Sequence, residues 1–238
     1  MRLAILSNPS VLLACDTTQG ACSVALLKDG EIFSDLQEMT RGHAEALMPM
    51  IEKICADTGT PMHSLQRLAV THGPGTFTGV RVGLSAMRGL ALALQAPLCA
   101  IGTLHAMAAA APICDTPLLV AVDARRDTYY TQAFDGQNNP QSEPQACSLA
   151  QVLAWFETGA VRVAGSGAAA IMQSGDPRFS AINIAPYPHA IQVLHLAAAQ
   201  SDAVWAQGDP HHEPVYLRPP DATLPNPDKQ LRRLEDSV

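Results

Sequence analysis

The chain has 238 residues, which at roughly 150 residues per domain allows one large domain or two small ones. Its 15 lysines and arginines stand against 22 acidic residues, and a net charge of −7 argues against a free-standing nucleic-acid binder, because phosphate contacts need clustered positive charge. Aromatic residues make up only 5%, so the core must be closely spaced helices and strands padded with small aliphatic side chains, and the six cysteines form no C-x-x-C pair, which excludes a zinc ribbon or a dithiol redox motif.

Along the chain, Leu12, Leu13 and Ala14 before Cys15 faintly resemble a lipoprotein signal, but Asn8, Pro9 and Ser10 break the apolar core such a signal needs, so no export is expected. Residues 11–15 read as a strand ending in Asp16-Thr17-Thr18, and residues 23–28 as a second strand. Asp29-Gly30 offers hairpin turn chemistry before a third strand over residues 31–39. Over residues 43–58, Ala44, Leu47, Met48, Ile51, Ile54 and Cys55 make the stripe of an amphipathic helix stopped by Gly59 and Pro61, with Pro49 expected to kink it or delay its start. A strand over 68–71, a helix over 78–94, a strand over 98–101 and a helix over 104–111 follow. Gln95, Pro97, Pro112 and Asp115 interrupt the most apolar stretch, and no run of about 18 apolar residues suited to a membrane is read.

The second half repeats this order. Residues 118–122 form a strand ending in Asp123, followed by the turn Ala124-Arg125-Arg126-Asp127 and a return strand over 128–134. After a polar loop over 136–145 come a helix over 148–157, a strand over 161–164, the turn Gly165-Ser166-Gly167, a further helix, a strand over 181–185 and a helix over 189–205. Asp16 and Asp123 hold equivalent hairpin tips, and Gly73 and Gly165 equivalent turns. The expected fold is therefore α/β, two similar lobes from an internal duplication, each a mixed sheet with helices, facing one another across a cleft. The lobes are assigned to residues 1–111 and 112–238, the first carrying the candidate dimerisation helices. The last helix and the tail of the second, with Pro210, Pro214, Pro219, Pro220, Pro225 and Pro227, are left open to pack back on the first. Lys229, Arg232 and Arg233 read as solvated surface.

The most informative run is Thr71-His72-Gly73-Pro74-Gly75-Thr76-Phe77-Thr78-Gly79-Val80-Arg81-Val82-Gly83. It leads a strand through a glycine turn into a helix that Thr76 or Thr78 can cap. The spelling G-x-x-x-x-G-K-[ST] is absent, which favours a structural turn over a phosphate cradle. Gly79 and Gly83 share one helix face, and Val82, Ser85, Ala86, Gly89 and Ala93 line the adjoining one, so another backbone can come close. With Leu47, Met48 and Ile51 of the preceding helix, these residues are the candidate partner interface, two helices that could associate with an equivalent pair. For a nucleotide, the candidates are Asp16, Thr17, Thr18, Gly73, Gly75, Asp123 and Arg125, two carboxylates across a cleft being able to hold Mg²⁺ through waters. The alternative is that both aspartates are turn residues bonding their own backbone. His43 and Glu45 point to different helix faces, His211, His212 and Glu213 fall in the Pro-rich tail, and no G-x-S-x-G is present, so no catalytic or metal-ligating residue is assigned.

Taken together, Ala14-Cys15-Asp16-Thr17-Thr18, His43-Ala44-Glu45-Ala46-Leu47-Met48-Pro49, the Gly-Pro-Gly-Thr-Phe-Thr-Gly-Val-Arg run, Asp123-Ala124-Arg125-Arg126 and Tyr216-Leu217-Arg218 resemble the TsaB (YeaZ) family. The resemblance implies an actin-like (ribonuclease H-like) two-lobed fold. It also implies a cytoplasmic role in forming N6-threonylcarbamoyladenosine at adenosine 37 of tRNA, as the non-catalytic subunit that braces TsaD beside TsaE. In that family TsaD holds the metal through an H-x-x-x-H helix. Here His43 is followed four residues on by Leu47, which suits the non-catalytic member. The family further implies pairing through the two first-lobe helices, as a homodimer in isolation or with TsaD, and tRNA contacted mainly through the complex. No cofactor is expected on this chain alone, and any ATP or ADP and Mg²⁺ is expected at the assembled complex. The ten residues before Val11 exceed the family's usual start, and the extra segments of true ATPases have no room, so independent ATP hydrolysis is not expected. The rival reading is a small actin-like ATP-dependent phosphotransferase using Asp16 and Asp123; a peptidase, an older label in this branch, lacks metal ligands.

Overall fold

In the computed structural model, which describes residues 11–206 and 212–218, the apolar runs become two five-stranded sheets of the same topology. Residues 1–10, Pro210, His211 and the tail from residue 219, with Lys229, Arg232 and Arg233, lie outside the described residues. β1 (Leu12–Asp16), β2 (Ala21–Lys28) and β3 (Glu31–Glu38) form an antiparallel meander. Between β2 and β3, Asp29 (φ 51°) and Gly30 (φ 83°) are both left-handed, the backbone of the two-residue hairpin turn that Asp-Gly favours. β4 (Arg67–Thr71) pairs parallel with β1, and β5 (Leu98–Ile101) parallel with β4, giving the order β3-β2-β1-β4-β5.

The second half builds the same sheet from β6 (Leu118–Asp123), β7 (Tyr129–Phe134), β8 (Gln145–Cys147), β9 (Val161–Ala164) and β10 (Phe179–Ala181), in the order β10-β9-β6-β7-β8. β8 to β10 stand to β6 as β3 to β5 stand to β1. The helices are α1 (His43–Asp57), α2 (Phe77–Leu94), α3 (Thr103–Ala108), α4 (Leu149–Ala154), α5 (Ala168–Gln173), α6 (Ala190–Ala198) and α7 (Asp202–Ala206).

Central strands are buried on both faces, so alternate residues serve different helices. Leu13, Cys15 and Val24 face Leu47 and Ile51 of α1 and Leu84 and Met87 of α2. Leu12, Ala14, Ala25 and Ala69 face Val193, Leu194 and Ala197 of α6. In the second sheet, Leu119, Ala121 and Val163 lie with Val152 of α4 and Ile171 of α5, while Leu118, Val120 and Val122 lie with Leu104 and Met107 of α3. The halves thus exchange a helix: α3, following β5, covers the second sheet, and α6, following β10, covers the first.

Several boundaries differ from expectation. α1 begins at His43 and runs through Pro49, so the proline does not delay its start. The polar loop over 136–145 leads into β8, a strand the pattern did not suggest. The strand expected over 181–185 is β10 at Phe179–Ala181, whose register with β9 starts at Phe179↔Val161; Ile182 and Ile184 beyond it pack on the α3 cluster. The helix expected over 189–205 breaks into α6 and α7, where Ser201 accepts the Val204 and Trp205 N–H groups at its carbonyl and restarts the helix. By length and composition α2 could cross a membrane, which the sequence pattern had not indicated. Yet one face packs on the first sheet, and Arg81 and Arg88 interrupt it. Five cysteines are buried and Cys114 is exposed, all as free thiols.

Candidate functional site

Three features meet where the halves face each other: the β1–β2 loop, the glycine turn before α2, and the hairpin tip between β6 and β7. Asp16 ends β1 fully buried. Its Oδ1 accepts from Thr71 Oγ1 at 2.5 Å, Thr18 Oγ1 at 2.7 Å and the Thr18 N–H at 3.3 Å, while Oδ2 accepts no hydrogen bond from the described residues. Burial pushes its carboxyl up to about 6, the threonine bonds pulling the other way.

The glycine turn is pressed onto this loop. The Thr76 N–H donates to Thr18 O at 2.8 Å, and Thr17 Oγ1 donates to Gly79 O at 2.6 Å. A Cβ on Gly75 would lie 2.6 Å from Thr18 O, one on Gly79 2.1 Å from Thr17 O, and one on Gly83 2.7 Å from Thr17 Oγ1. Gly79 and Gly83, expected at the partner interface, are therefore buried against the chain's own β1–β2 loop: their missing side chains let α2 approach that loop. Gly73, left-handed at φ 112°, lies against Val215, where a Cβ would be 2.7 Å from the carbonyl oxygen.

Across from the turn, a cleft of about 200 Å³ is lined by Gly75, Thr76 and Phe77 on one side and by Asp123, Arg125 and Tyr130 on the other, with Tyr216 and Arg218 from the C-terminal segment. Asp16, Thr17 and Thr18 are fully buried and do not line it. The residues named for a nucleotide are thus divided between a packed interior and an open cleft, and the two aspartates do not converge there. Asp123 Oδ1 accepts the Arg125 N–H at 2.7 Å, the self-bonding of a turn aspartate, in a tip where Arg125, Arg126 and Asp127 are all left-handed. Among the described residues, no three His, Cys, Asp or Glu side chains are grouped to hold a metal ion. His43 Nε2 pairs with Gln19 O at 3.0 Å and His212 Nε2 with Leu98 O at 3.1 Å.

On the outside of the first half, α1 and α2 leave between them a groove of about 470 Å³ lined by Ala44, Leu47, Met48, Val82, Ser85 and Ala86, with Phe77 and Arg81 at one end. Ile51, expected here, is fully buried beneath it in the core. Ser85, Gly89 and Leu92 continue the stripe at i, i+4 and i+7; Gly89 has nothing within 4 Å of an added Cβ, and Leu92 is 81% exposed. Sequence reasoning missed Leu92, although its helical spacing from Ser85 marks it. It also assigned no role to Tyr216 and Arg218, which lie far along the chain from everything they touch.

Residues 37–204 match the family model described as TsaD: tRNA N6-adenosine threonylcarbamoyltransferase. The tRNA threonylcarbamoyladenosine biosynthesis protein TsaB of Haemophilus influenzae is 34% identical over 221 residues, 87% of this chain and 93% of that protein. Its Escherichia coli counterpart is 37% identical over 130 residues, 54% of this chain and 56% of that protein. Two solved structures are similar to the whole fold. One is a Pseudomonas aeruginosa protein described as similar to peptidase YEAZ, with TM-score 0.76 and 32% identity over 88% of this chain and 100% of that one. The other is YeaZ from the same organism, with TM-score 0.73 and 30% identity over 87% of this chain and 100% of that one. A full-length relative above 30% identity, and the same duplicated α/β lobes in solved structures, make this chain a member of the TsaB/YeaZ family.

Proposed function

We propose that this chain serves tRNA threonylcarbamoyladenosine biosynthesis as a non-catalytic subunit, bracing TsaD through the groove between α1 and α2. In this reading the chain is cytoplasmic, pairs with itself in isolation, and joins TsaD and TsaE in an assembly that carries the tRNA contact and any ATP or ADP with Mg²⁺. The observation that carries the reading is the groove itself. Small side chains at Ala44, Val82, Ser85 and Ala86 let a second helix pair approach closely, and Met48 and the exposed Leu92 supply apolar surface for it to cover. A net charge of −7 suits a brace better than a grip on tRNA. The phosphotransferase reading asks Asp16 and Asp123 to share a cavity, and the burial of Asp16 speaks against it.

Val82→Arg or Ala86→Trp puts bulk into the groove. Either is expected to abolish co-elution with TsaD on size exclusion while far-UV circular dichroism stays that of the folded chain. Undiminished co-elution would place the contact elsewhere. Calorimetry of the isolated chain with Mg-ATP tests the rival, which requires micromolar binding and turnover.

A further inference from the structure

Residues 212–218 run past α2 from Arg88 to Phe77 at its N-terminal end and bond to both halves of the molecule. His212 is anchored on the first half by Leu98 O, and Arg88 Nη2 donates to its carbonyl oxygen. The Val215 N–H donates to His72 O at 2.8 Å, beside the left-handed Gly73 whose lack of a side chain admits the segment. Tyr216 then lies on Phe77, ring centroids 5.3 Å apart, and its hydroxyl accepts from Arg81 Nε–H at 2.8 Å. The Arg81 guanidinium stands 3.6 Å from the centroid of the Phe77 ring. Two residues further, Arg218 Nη1 donates to Ala124 O at 2.8 Å, in the β6–β7 hairpin tip of the second half.

These contacts join the two concave features. Phe77 lines both the cleft and the groove, Arg81 lines the groove, and Tyr216 and Arg218 line the cleft. An occupant of the groove that shifts Arg81 must shift the hydroxyl it bonds and the ring it covers. The receiving end is strained: Arg125, Arg126 and Asp127 hold left-handed backbone that L residues disfavour, and Arg218 adds an anchor from outside to the tip's own bonds from Ala124 N–H to Thr128 O and from Thr128 N–H to Arg125 O.

We propose that residues 212–218 are a latch, with Tyr216 and Arg218 as positioning residues, that ties the α2 end of the groove to the β6–β7 hairpin, so that a seated partner and an ordered cleft favour each other. The partner's share of this coupling rests on the groove being the docking surface; the latch itself is a property of the single chain. Linkage makes the effect reciprocal: whatever orders the hairpin also strengthens docking.

Hydrogen–deuterium exchange on the full chain reads the latch without any partner. Arg218→Ala, Arg81→Ala and Tyr216→Phe, which removes only the hydroxyl, are each expected to speed exchange of amides 124–128 by about threefold or more, leaving β6 and β9 unchanged. A local structural role for Arg218 moves the hairpin only in Arg218→Ala, so wild-type hairpin rates in Arg81→Ala and Tyr216→Phe overturn the latch. With TsaD added, slowed exchange in α1, α2 and the hairpin together supports the coupling. Slowed exchange in α1 and α2 alone overturns the coupling while the groove stands as the interface. No change in α1 and α2 overturns the groove reading, and the isolated-chain variants still decide the latch.

Discussion

Replacing Gly79 with alanine, beside the same change at Gly89, separates what α2 does for its own fold from what it offers a partner. A Cβ on Gly79 would sit 2.1 Å from Thr17 O and 2.5 Å from Thr76 Oγ1, where ordinary contact begins near 3.4 Å. Neither atom yields easily: Thr17 is tied to Gly79 O, and Thr76 caps the helix by accepting the Gly79 N–H at 3.1 Å. Overpacking of this kind costs about 1–3 kcal/mol, against which the helix preference of alanine returns up to about 1 kcal/mol. A clash at 2.1 Å with a backbone oxygen places the cost at the top of that range, and the net loss of about 2 kcal/mol lowers Tm by roughly 4–8 °C in a chain of this size. Gly89 has open space around it, so alanine there is expected to gain up to about 1 kcal/mol and raise Tm by roughly 2–4 °C. The same methyl group narrows the exposed stripe and is expected to weaken partner binding, so stability and association move in opposite directions at Gly89. Thermal melts by circular dichroism at one protein concentration, since self-association shifts Tm by mass action, supply the first comparison. Gly79→Ala melting at or above the wild-type temperature would refute the packing assigned to α2.

Two further outcomes follow from burial. Because the Asp16 carboxyl titrates at about 6 in the fold and near 3.9 in the unfolded chain, protons favour the fold. Its stability contribution is full below about pH 4 and is lost as pH rises through about 6, roughly 3 kcal/mol in all. Asp16→Asn keeps an acceptor oxygen and does not titrate there, so urea midpoints are expected to diverge in favour of the variant from about pH 4 to 7; parallel profiles would refute the raised carboxyl. Residues 1–111 expressed alone are expected to melt without cooperativity and to bind a hydrophobic dye. The face made by Leu12, Ala14, Ala25 and Ala69 is covered by α6, which the fragment lacks; a sharp cooperative transition would refute that dependence.

The legible parts of the fold are those governed by neighbours in the chain. The stripe through Leu47, Ile51 and Ile54 marks α1, and Asp29-Gly30 marks its hairpin, because both depend on residues a few positions apart. β8 escaped notice because three residues in a polar loop become a strand only through pairing with β7, Tyr129 opposite Cys147. The break between α6 and α7 has no glycine or proline to announce it. It is associated with contacts from the distant β4, where Arg67 bonds Asp202 at 3.0 Å and stands 5.0 Å from the Trp205 ring centroid. At the site, periodicity shows that α2 has a small-residue face but not which side meets the sheet. The pattern therefore turns Gly79 and Gly83 outward, whereas Thr17, a loop residue distant in the chain but at the same end of the sheet, requires them inward.

The duplication also explains why the groove lies on the first half. Both halves use the same strand order and the same alternation of helices, α1 and α2 answering to α4 and α5. Yet α1 and α2 have 15 and 18 residues, and α4 and α5 only 6 each. At about 1.5 Å per residue α2 extends roughly 27 Å, whereas the four- and five-residue strands beneath it span about 13–17 Å. The second-half helices, at about 9 Å each, do not outrun their sheet, and Val152 and Ile171 bury into it. α2 overruns its sheet and carries, opposite the buried Leu84 and Met87, a second set of small and apolar residues at Val82, Ser85, Ala86 and Leu92. A helix with one face committed to its own core and another left apolar has surface beyond what its fold consumes. In this chain only the lengthened pair has that surplus among the described sheet-covering helices, which is why the proposed partner surface lies there and not on the other lobe.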